Sequence, residues 1–163
     1  MENFSPNIAF FDSGQGGLTV WENAVKFFPR LNTLYLGDNA RYPYGNKSAE
    51  TITSYASEAA KFLVDRNARL MIVACGTASS VATKHLQETV PIPVIGIVEG
   101  FCSYVNEILA DKNETIAVLA TRFTIKSGRF AEILNSYGIN NVWSKACPLF
   151  VPIVEDGIAE GLL

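Results

Sequence analysis

The sequence has no excess of positive charge. Its 13 Lys and Arg residues are outnumbered by 16 Asp and Glu residues, which gives a formal net charge of −3. Binding to nucleic acid needs clustered positive charge, and binding to a membrane surface needs a basic run that this chain lacks. We therefore expect neither a nucleic acid nor a membrane among its partners.

Long apolar segments and paired cysteines are scarce as well. Although 48% of the residues are hydrophobic, the apolar runs at residues 70–75 and 94–98 fall far short of the ~20 residues that span a membrane. An odd count of 3 cysteines does not make a disulfide framework, and the first residues lack the basic start of a signal peptide. These absences predict a soluble, reduced, cytoplasmic protein.

The hydrophobic pattern predicts strands that alternate with helices. Strands are predicted at residues 8–11, 33–36, 70–74, 93–97 and 115–119 and near 142, and helices at 18–28, 50–67, 77–88, 101–109 and 125–137. Ser48 is the predicted N-cap of the second helix. The repeated strand-then-helix order predicts an α/β fold with doubly wound parallel sheets, which bind ligands beyond the carboxyl ends of their strands. We place a first α/β domain at residues 1–98 and the start of a second at 99–163, where a helix beginning at 155 has no closing element.

A glycine-rich loop at residues 12–17 follows the first predicted strand. Glycines at such a turn can bring backbone N–H groups to an anion, but this loop matches neither the P-loop nor the dinucleotide-binding pattern. Asp12, at the start of the loop, would also repel a phosphate. Asp12 therefore suggests proton handling or ammonium binding, and the alternative is that it only caps the helix.

Cys75 lies between the third predicted strand and the following helix. Backbone donors and the helix dipole at this position favour a thiolate, so we expect the thiol pKa to fall from ~8.5 toward neutrality. Thr77, nearby, either caps the helix or holds a carboxylate. A lone cysteine is more often a small buried hydrophobe. Because Asp12 converges from a neighbouring strand end, we favour a reactive, partly accessible thiol at Cys75.

The remaining candidate residues carry weaker signals. The loop at residues 41–45 either folds over the same sheet edge or forms a surface turn with two packed tyrosines. Cys102 lies in a helical stretch and is assigned to the core, and Cys147 precedes an apolar extended segment and is assigned to packing. The single histidine, His85, lies in mid-helix, which argues against a serine triad or a histidine metal site.

Taken in order, these motifs resemble those of the glutamate racemases of the aspartate/glutamate racemase superfamily. The matching segments cover nearly the whole chain: residues 11–14, 16–20, 36–38, 41, 43–45, 47–48, 74–75, 77–79, 93–96, 147–152 and 155. The resemblance implies two similar α/β domains with the active site between them. It also implies inversion of the α-carbon of glutamate by two cysteines, without cofactor or metal, to supply D-glutamate for peptidoglycan.

The resemblance also assigns roles to individual residues. Cys75 corresponds to the first catalytic cysteine, and Asp12 corresponds to the carboxylate that assists it. Glu155 corresponds to an acidic residue that supports a histidine beside the second cysteine. The positions that correspond to substrate-binding residues are Asp12, Ser13, Tyr44, Gly45, Gly76, Thr77, Thr121 and Thr124.

The chain departs from the family pattern in two places. Gly76 stands where the family has an asparagine, and the Cys-Thr-His segment that holds the second catalytic cysteine does not occur in the sequence. We therefore expect the amino-terminal part of a homodimeric racemase, inactive on its own. Two alternatives stay open: a non-catalytic domain that binds a small dicarboxylate or a protein partner, and a racemase for another substrate such as aspartate or a hydantoin.

Overall fold

Strands and helices alternate through residues 7–155, the part of the chain that the computed structural model describes. The strands are β1 (Ile8–Asp12), β2 (Thr33–Gly37), β3 (Met71–Val73), β4 (Val94–Gly96), β5 (Ile116–Ala120) and β6 (Val142–Ala146). The helices are α1 (Leu18–Phe27), α2 (Ala49–Val64), α3 (Gly76–Thr89), α4 (Ile97–Ile108), α5 (Arg122–Ser127), α6 (Arg129–Ser136) and α7 (Phe150–Glu155). A single turn of 3₁₀ helix at Tyr44–Asn46 lies between β2 and α2.

Two parallel sheets are built from these strands. The larger sheet has the order β2-β1-β3-β4, and Phe11 of β1 pairs with Leu36 on one side and Val73 on the other. The smaller sheet pairs β5 with β6, with Leu119 opposite Lys145. The parallel α/β architecture predicted from the sequence is thereby confirmed. The division into two domains at residue 98 stays a prediction.

The main hydrophobic core lies between the larger sheet and two helices. Alternate strand residues such as Phe11 and Val73 point to the same face of the sheet. They pack against Ile52, Ala56 and Leu63, which recur at helical spacing along α2, and against an apolar stripe of α3. Ser48 caps α2, because its hydroxyl accepts a hydrogen bond from the amide of Thr51 at 3.2 Å. This confirms the predicted N-cap.

A second, smaller core surrounds α4. Val98, Cys102 and Val105 of this helix pack with Leu134 of α6 and with Ile139. The side chain of Cys102 is completely buried, which confirms its assignment to the core. None of the helices in residues 7–155 is both long enough and apolar enough to cross a membrane.

Three predicted elements differ from the structure. The helix predicted at 125–137 is two helices, because Gly128 adopts a left-handed conformation (φ 68°) that ends α5. Helix α4 begins at Ile97 rather than at residue 101, since Ser79 of α3 caps it by accepting a hydrogen bond from the amide of Val98 at 3.1 Å. The segment expected to be extended after Cys147 contains α7, whose Pro152 lies in the first turn, where a helix tolerates proline.

Candidate active site

A cleft of about 360 Å³ opens at the carboxyl ends of strands from both sheets. Its floor comes from the loops that follow β1 and β3, and its opposite wall comes from the loop that follows β5 and from the start of α7. The site residues predicted from the sequence that line the cleft are Asp12, Ser13, Tyr44, Gly45, Cys75, Gly76, Thr77, Thr121 and Thr124.

Asp12 ends β1 with a buried carboxyl group that is held by the glycine-rich loop. The amide of Gly14 donates a hydrogen bond to its Oδ2 atom at 2.8 Å. Burial raises the pKa of Asp12 above its ordinary value, although the backbone amides of Gly14, Gly17 and Ser13 oppose this shift. The amide of Gly17, the N-cap residue of α1, is also among the groups that act on this carboxylate, so a role of Asp12 in holding the start of the helix stays a prediction.

Cys75 occupies the N-cap position of α3, beside Asp12. Its Sγ atom accepts a hydrogen bond from the amide of Ala78 at 3.4 Å and lies 3.2 Å from the hydroxyl of Ser13. Only 6% of the residue is exposed. Burial and the negative charge of Asp12 raise the pKa of Cys75, and the two hydrogen bonds oppose this effect without overcoming it. The expectation of a lowered pKa and a partly accessible thiol was therefore wrong, because desolvation outweighs the helix N-terminus.

The other titratable candidates occupy different environments. Burial and the charge of Glu99 raise the pKa of Cys102 to about 11. Cys147 is only half-buried and lines the cleft, which its assignment to packing did not foresee. His85 is exposed in the middle of α3, away from the cleft. Within residues 7–155, no group of three or more His, Cys, Asp or Glu side chains could hold a metal ion.

Three threonine hydroxyls from the two halves of the cleft lie close together. Thr77, in the first turn of α3, lies 3.2 Å from Thr121, measured between the Oγ1 atoms. Thr121 caps α5, and its hydroxyl lies 3.0 Å from that of Thr124. The hydroxyl of Thr124 also donates to that of Thr77 at 3.4 Å. This threonine cluster presents three adjacent hydroxyls, each of which can rotate to donate a hydrogen bond to an anion.

The loop after β2 folds over the cleft and is not a surface turn. Tyr44 is 1% exposed, and its ring packs against Phe11 and Tyr55. Gly45 lies directly against Thr121, because a Cβ atom at this glycine would be 3.2 Å from the Cβ of Thr121. This contact brings the loop from the larger sheet against the loop that follows β5.

The two remaining residues with predicted roles are Gly76 and Glu155. Gly76 is the first residue of α3, and a Cβ atom placed on it would meet nothing within 4 Å. Gly76 lines the cleft, and the position has room for a side chain. Glu155 is the last residue of α7, and its side chain lies outside the described part of the structure.

Several residues that line the cleft were not predicted as site residues. Arg122 follows Thr121 directly, so its proximity to a predicted site residue was the signal that could have found it. Phe130 lies in the first turn of α6, which begins directly after the break at Gly128. The segment from Cys147 to Pro152 was matched as a motif, but its position beside the cleft follows from the pairing of β6 with β5.

The fold and the cleft define a class: an α/β protein whose parallel sheets carry a thiol and a carboxylate at their strand ends. The model of the Asp/Glu/Hydantoin racemase family matches residues 21–158. The chain belongs to this family.

Known relatives agree with this membership. The glutamate racemase of Aquifex aeolicus (strain VF5) is 47% identical over 155 residues, which are 94% of this chain and 59% of that protein. The crystal structure of glutamate racemase isoform RacE1 from Bacillus anthracis matches 98% of this chain and 59% of its own, with a TM-score of 0.90 and 32% identity. The crystal structure of glutamate racemase from Francisella tularensis subsp. tularensis SCHU S4 in complex with D-glutamate matches 95% of this chain and 57% of its own, with a TM-score of 0.85 and 39% identity. The chain thus spans about three fifths of the length of these relatives.

Proposed function

We propose that the cleft binds glutamate and that this chain supplies the Cys75 half of a glutamate racemase active site. The proposal depends on one observation: a thiol and a carboxylate lie together at strand ends, in the same cleft as hydroxyl groups from the second sheet. The relatives named glutamate racemase, and the D-glutamate bound to one of them, support the choice of substrate.

The environment of Cys75 suits removal of an α-proton. This proton is very weakly acidic, so its removal needs a strong base, and a thiol with a raised pKa becomes a stronger base once it is ionised. In the proposed reaction the ammonium group of glutamate binds beside Asp12 and offsets the negative charge that raises the pKa of Cys75. Cys75 first loses its thiol proton to water, and the thiolate then takes the α-proton while the C–H electron pair stays on the α-carbon.

Hydrogen-bond donors around the substrate then stabilise the negative charge. The threonine cluster, the hydroxyl of Ser13 and the backbone amides of Tyr44 and Gly45 are the proposed partners of the two substrate carboxylates. In the proposed two-cysteine reaction, a proton from a second thiol reaches the opposite face of the α-carbon and completes the inversion. That thiol belongs to a segment outside this sequence, and Glu155 supports the histidine beside it.

The proposal extends to the biological setting of the reaction. The product is D-glutamate for peptidoglycan synthesis, made without a cofactor by a cytoplasmic homodimer. Within the chain, residues 1–98 form the domain that carries Asp12 and Cys75, and residues 99–163 begin the domain that carries Thr121 and Thr124.

Solvent exchange tests the catalytic part of the proposal. When the chain is incubated with L-glutamate in D₂O, ¹H NMR should show slow loss of the α-proton signal, and chiral chromatography should show retained configuration. The variant Cys75→Ala should abolish the exchange but keep glutamate binding, measured by isothermal titration calorimetry. Binding without exchange in the unchanged chain would favour the non-catalytic dicarboxylate-binding alternative.

Binding of the substrate has its own test in the threonine cluster. Thr77→Val removes one donor at nearly constant volume, and loss of a hydrogen bond to a charged group costs about 1.5–3 kcal/mol of binding free energy. Thr83→Val is the matched control, because Thr83 is buried in the same helix but its hydroxyl donates to the carbonyl of Ser79, outside the cleft. Absence of glutamate binding to the unchanged chain would overturn the proposal.

A further inference from the structure

The turn at Tyr44–Asn46 needs a fixed backbone if its amides are to bind a substrate. The turn forms part of the cleft wall, and Gly45 rests against Thr121 with no space between them. A 3₁₀ turn of three residues holds itself weakly, because such short turns have poor internal hydrogen-bond geometry. Its position must therefore be set by contacts outside the turn.

Asp38 makes the main contacts that fix this position. The hydroxyl of Tyr44 donates a hydrogen bond to Oδ2 of Asp38 at 2.5 Å. The backbone amide of Asp38 donates to the carbonyl of Asp12 at 2.9 Å. Asp38 thus joins the turn on one wall of the cleft to the end of β1, although Asp38 itself does not line the cleft.

The carboxylate of Asp38 is itself held by Arg41. Its Nε atom lies 2.6 Å from Oδ2 of Asp38, and its Nη1 atom lies 2.6 Å from Oε2 of Glu58 on α2. The guanidinium group also lies over the ring of Tyr55, 4.2 Å from its centre, and that ring packs on Tyr44 at 5.7 Å between centroids. One arginine therefore ties the carboxylate of Asp38 to both α2 and the aromatic group that surrounds Tyr44.

We propose that Asp38 and Arg41 are positioning residues that fix the Tyr44–Gly45 turn in the conformation that binds the substrate. The identity of this substrate rests on the proposed function. Neither residue touches the cleft, so both act through the hydroxyl of Tyr44. Burial and the hydrogen bond to Asp38 raise the pKa of Tyr44, which keeps this hydroxyl protonated as a donor.

Two conservative variants test the proposal: Asp38→Asn, which removes the charge of the acceptor, and Tyr44→Phe, which removes only the donor. Each should raise the Kd for L-glutamate about tenfold in isothermal titration calorimetry. The double variant should bind L-glutamate no more weakly than the single variant with the lower affinity, because both changes act on the same hydrogen bond. Arg41→Lys removes the planar guanidinium group but keeps the positive charge. It should therefore raise the Kd by less than Asp38→Asn does.

Asp65→Asn is the matched control, since Asp65 is also an ion-paired aspartate but lies exposed beside Lys61. It should leave the Kd unchanged. The ¹H–¹⁵N NMR signal of the Gly45 amide, recorded without ligand, should move in Asp38→Asn and Tyr44→Phe but stay in place in Asp65→Asn. Thermal unfolding of each variant separates loss of stability from loss of affinity.

Different results would contradict the positioning role of Asp38 and the binding of glutamate. If the unchanged chain binds glutamate while Asp38→Asn and Tyr44→Phe bind it equally well, the positioning role is overturned. If the unchanged chain does not bind glutamate, the proposed function is overturned, and the position of the Gly45 amide signal alone decides whether Asp38 sets the turn. An additive loss of affinity in the double variant would also contradict the inference.

Discussion

The carboxylate of Asp12 is buried at the end of β1, and this burial makes the stability of the chain depend on pH. Because burial raises the pKa of Asp12 above its ordinary value of 3.8, the folded chain binds this proton more tightly than the unfolded chain does. The resulting stabilisation is fully present below the unfolded pKa and is lost as the pH rises through the folded pKa. At neutral pH the ionised Asp12 therefore lowers the stability of the fold.

Asp12→Asn should consequently raise the free energy of unfolding at pH 7.5. The gain should be smaller at pH 4.5 than at pH 7.5, because a larger fraction of Asp12 is protonated at the lower pH in the unchanged chain. Urea unfolding of both chains across this range measures the difference. A gain that is equal at both pH values would show that the charge of Asp12 is not its source.

The three cysteines should react with iodoacetamide in an order that follows their exposure. Cys147 is half-buried, whereas Cys75 is 6% exposed and Cys102 is completely buried, and the pKa values of Cys75 and Cys102 are both raised. Mass spectrometry of the folded chain at pH 7.5 should find Cys147 labelled first and Cys102 last. Asp12→Asn should speed the labelling of Cys75, since it removes a negative charge that opposes the thiolate. First labelling at Cys75 would contradict this order.

Gly76 offers a substitution that adds a contact without a steric cost. Gly76→Asn places a side-chain amide in open space at the first turn of α3, so it should tighten glutamate binding severalfold in isothermal titration calorimetry. Gly76→Ala is the control, because it changes the helix propensity without adding the amide. Equal affinity in the two variants would assign any gain to the helix rather than to the amide.

The meeting of Asp12 and Cys75 in the cleft could be predicted from the sequence, but their electrostatics could not. Asp12 and Cys75 follow adjacent strands, and adjacent parallel strands end at the same edge, so the chain itself indicated that they meet. The raised pKa of Cys75 comes from burial by residues distant in sequence and from the charge of Asp12. Neither the depth of burial nor the distance between two charges is visible in a local motif.

At the scale of single elements, the start of α2 depends on Ser48. Its hydroxyl accepts a hydrogen bond from the amide of Thr51, one of the four amides that a helix start leaves without a helical partner. Ser48→Ala should lower the free energy of unfolding by about 1 kcal/mol. Ser54→Ala, at an exposed position within the same helix, should not lower it, because alanine has the higher helix propensity. Urea unfolding of both variants checks this, and equal losses would contradict a capping role.

The order of the elements was predictable because each strand is a short apolar run bounded by turn residues. The break at Gly128 was not predictable from the same pattern, since Ile125 to Tyr137 keep a helical spacing of apolar residues on both sides of it. Only the backbone conformation of Gly128 shows that the helix ends there. The start of α4 was missed for a related reason, because its cap comes from Ser79 on another helix.

At the scale of the whole molecule, an ion pair connects helices around the second core. Arg129 of α6 contacts the carboxylate of Glu99 on α4 with two nitrogen atoms, at 2.9 and 3.2 Å, and Ser79 of α3 donates to the same carboxylate at 3.3 Å. Both charged side chains are 24% exposed, so solvent screens them less than a surface pair. This group links three helices that belong to both cores.

Arg129→Met should therefore lower the free energy of unfolding by about 1–3 kcal/mol, because it leaves Glu99 partly buried without its partner. Lys26→Met is the control: the pair that Lys26 forms with Glu22 is well exposed, and its loss should produce no measurable change. Far-ultraviolet circular dichroism in urea measures both variants. Equal midpoints for Arg129→Met and the unchanged chain would contradict the linking role of the pair.

The smaller sheet has only two described strands, and this limits where the chain can be divided into separately expressed fragments. Two-stranded sheets are marginally stable in water unless something packs on them, and Leu119 and Trp143 are each about half exposed. An expression boundary at residue 98 would also separate Thr121 from Thr77 and Glu99 from Ser79. Fragments cut at the boundary between the two sheets are thus poor crystallisation targets, and trimming strategies should keep β1 through β6 in one polypeptide.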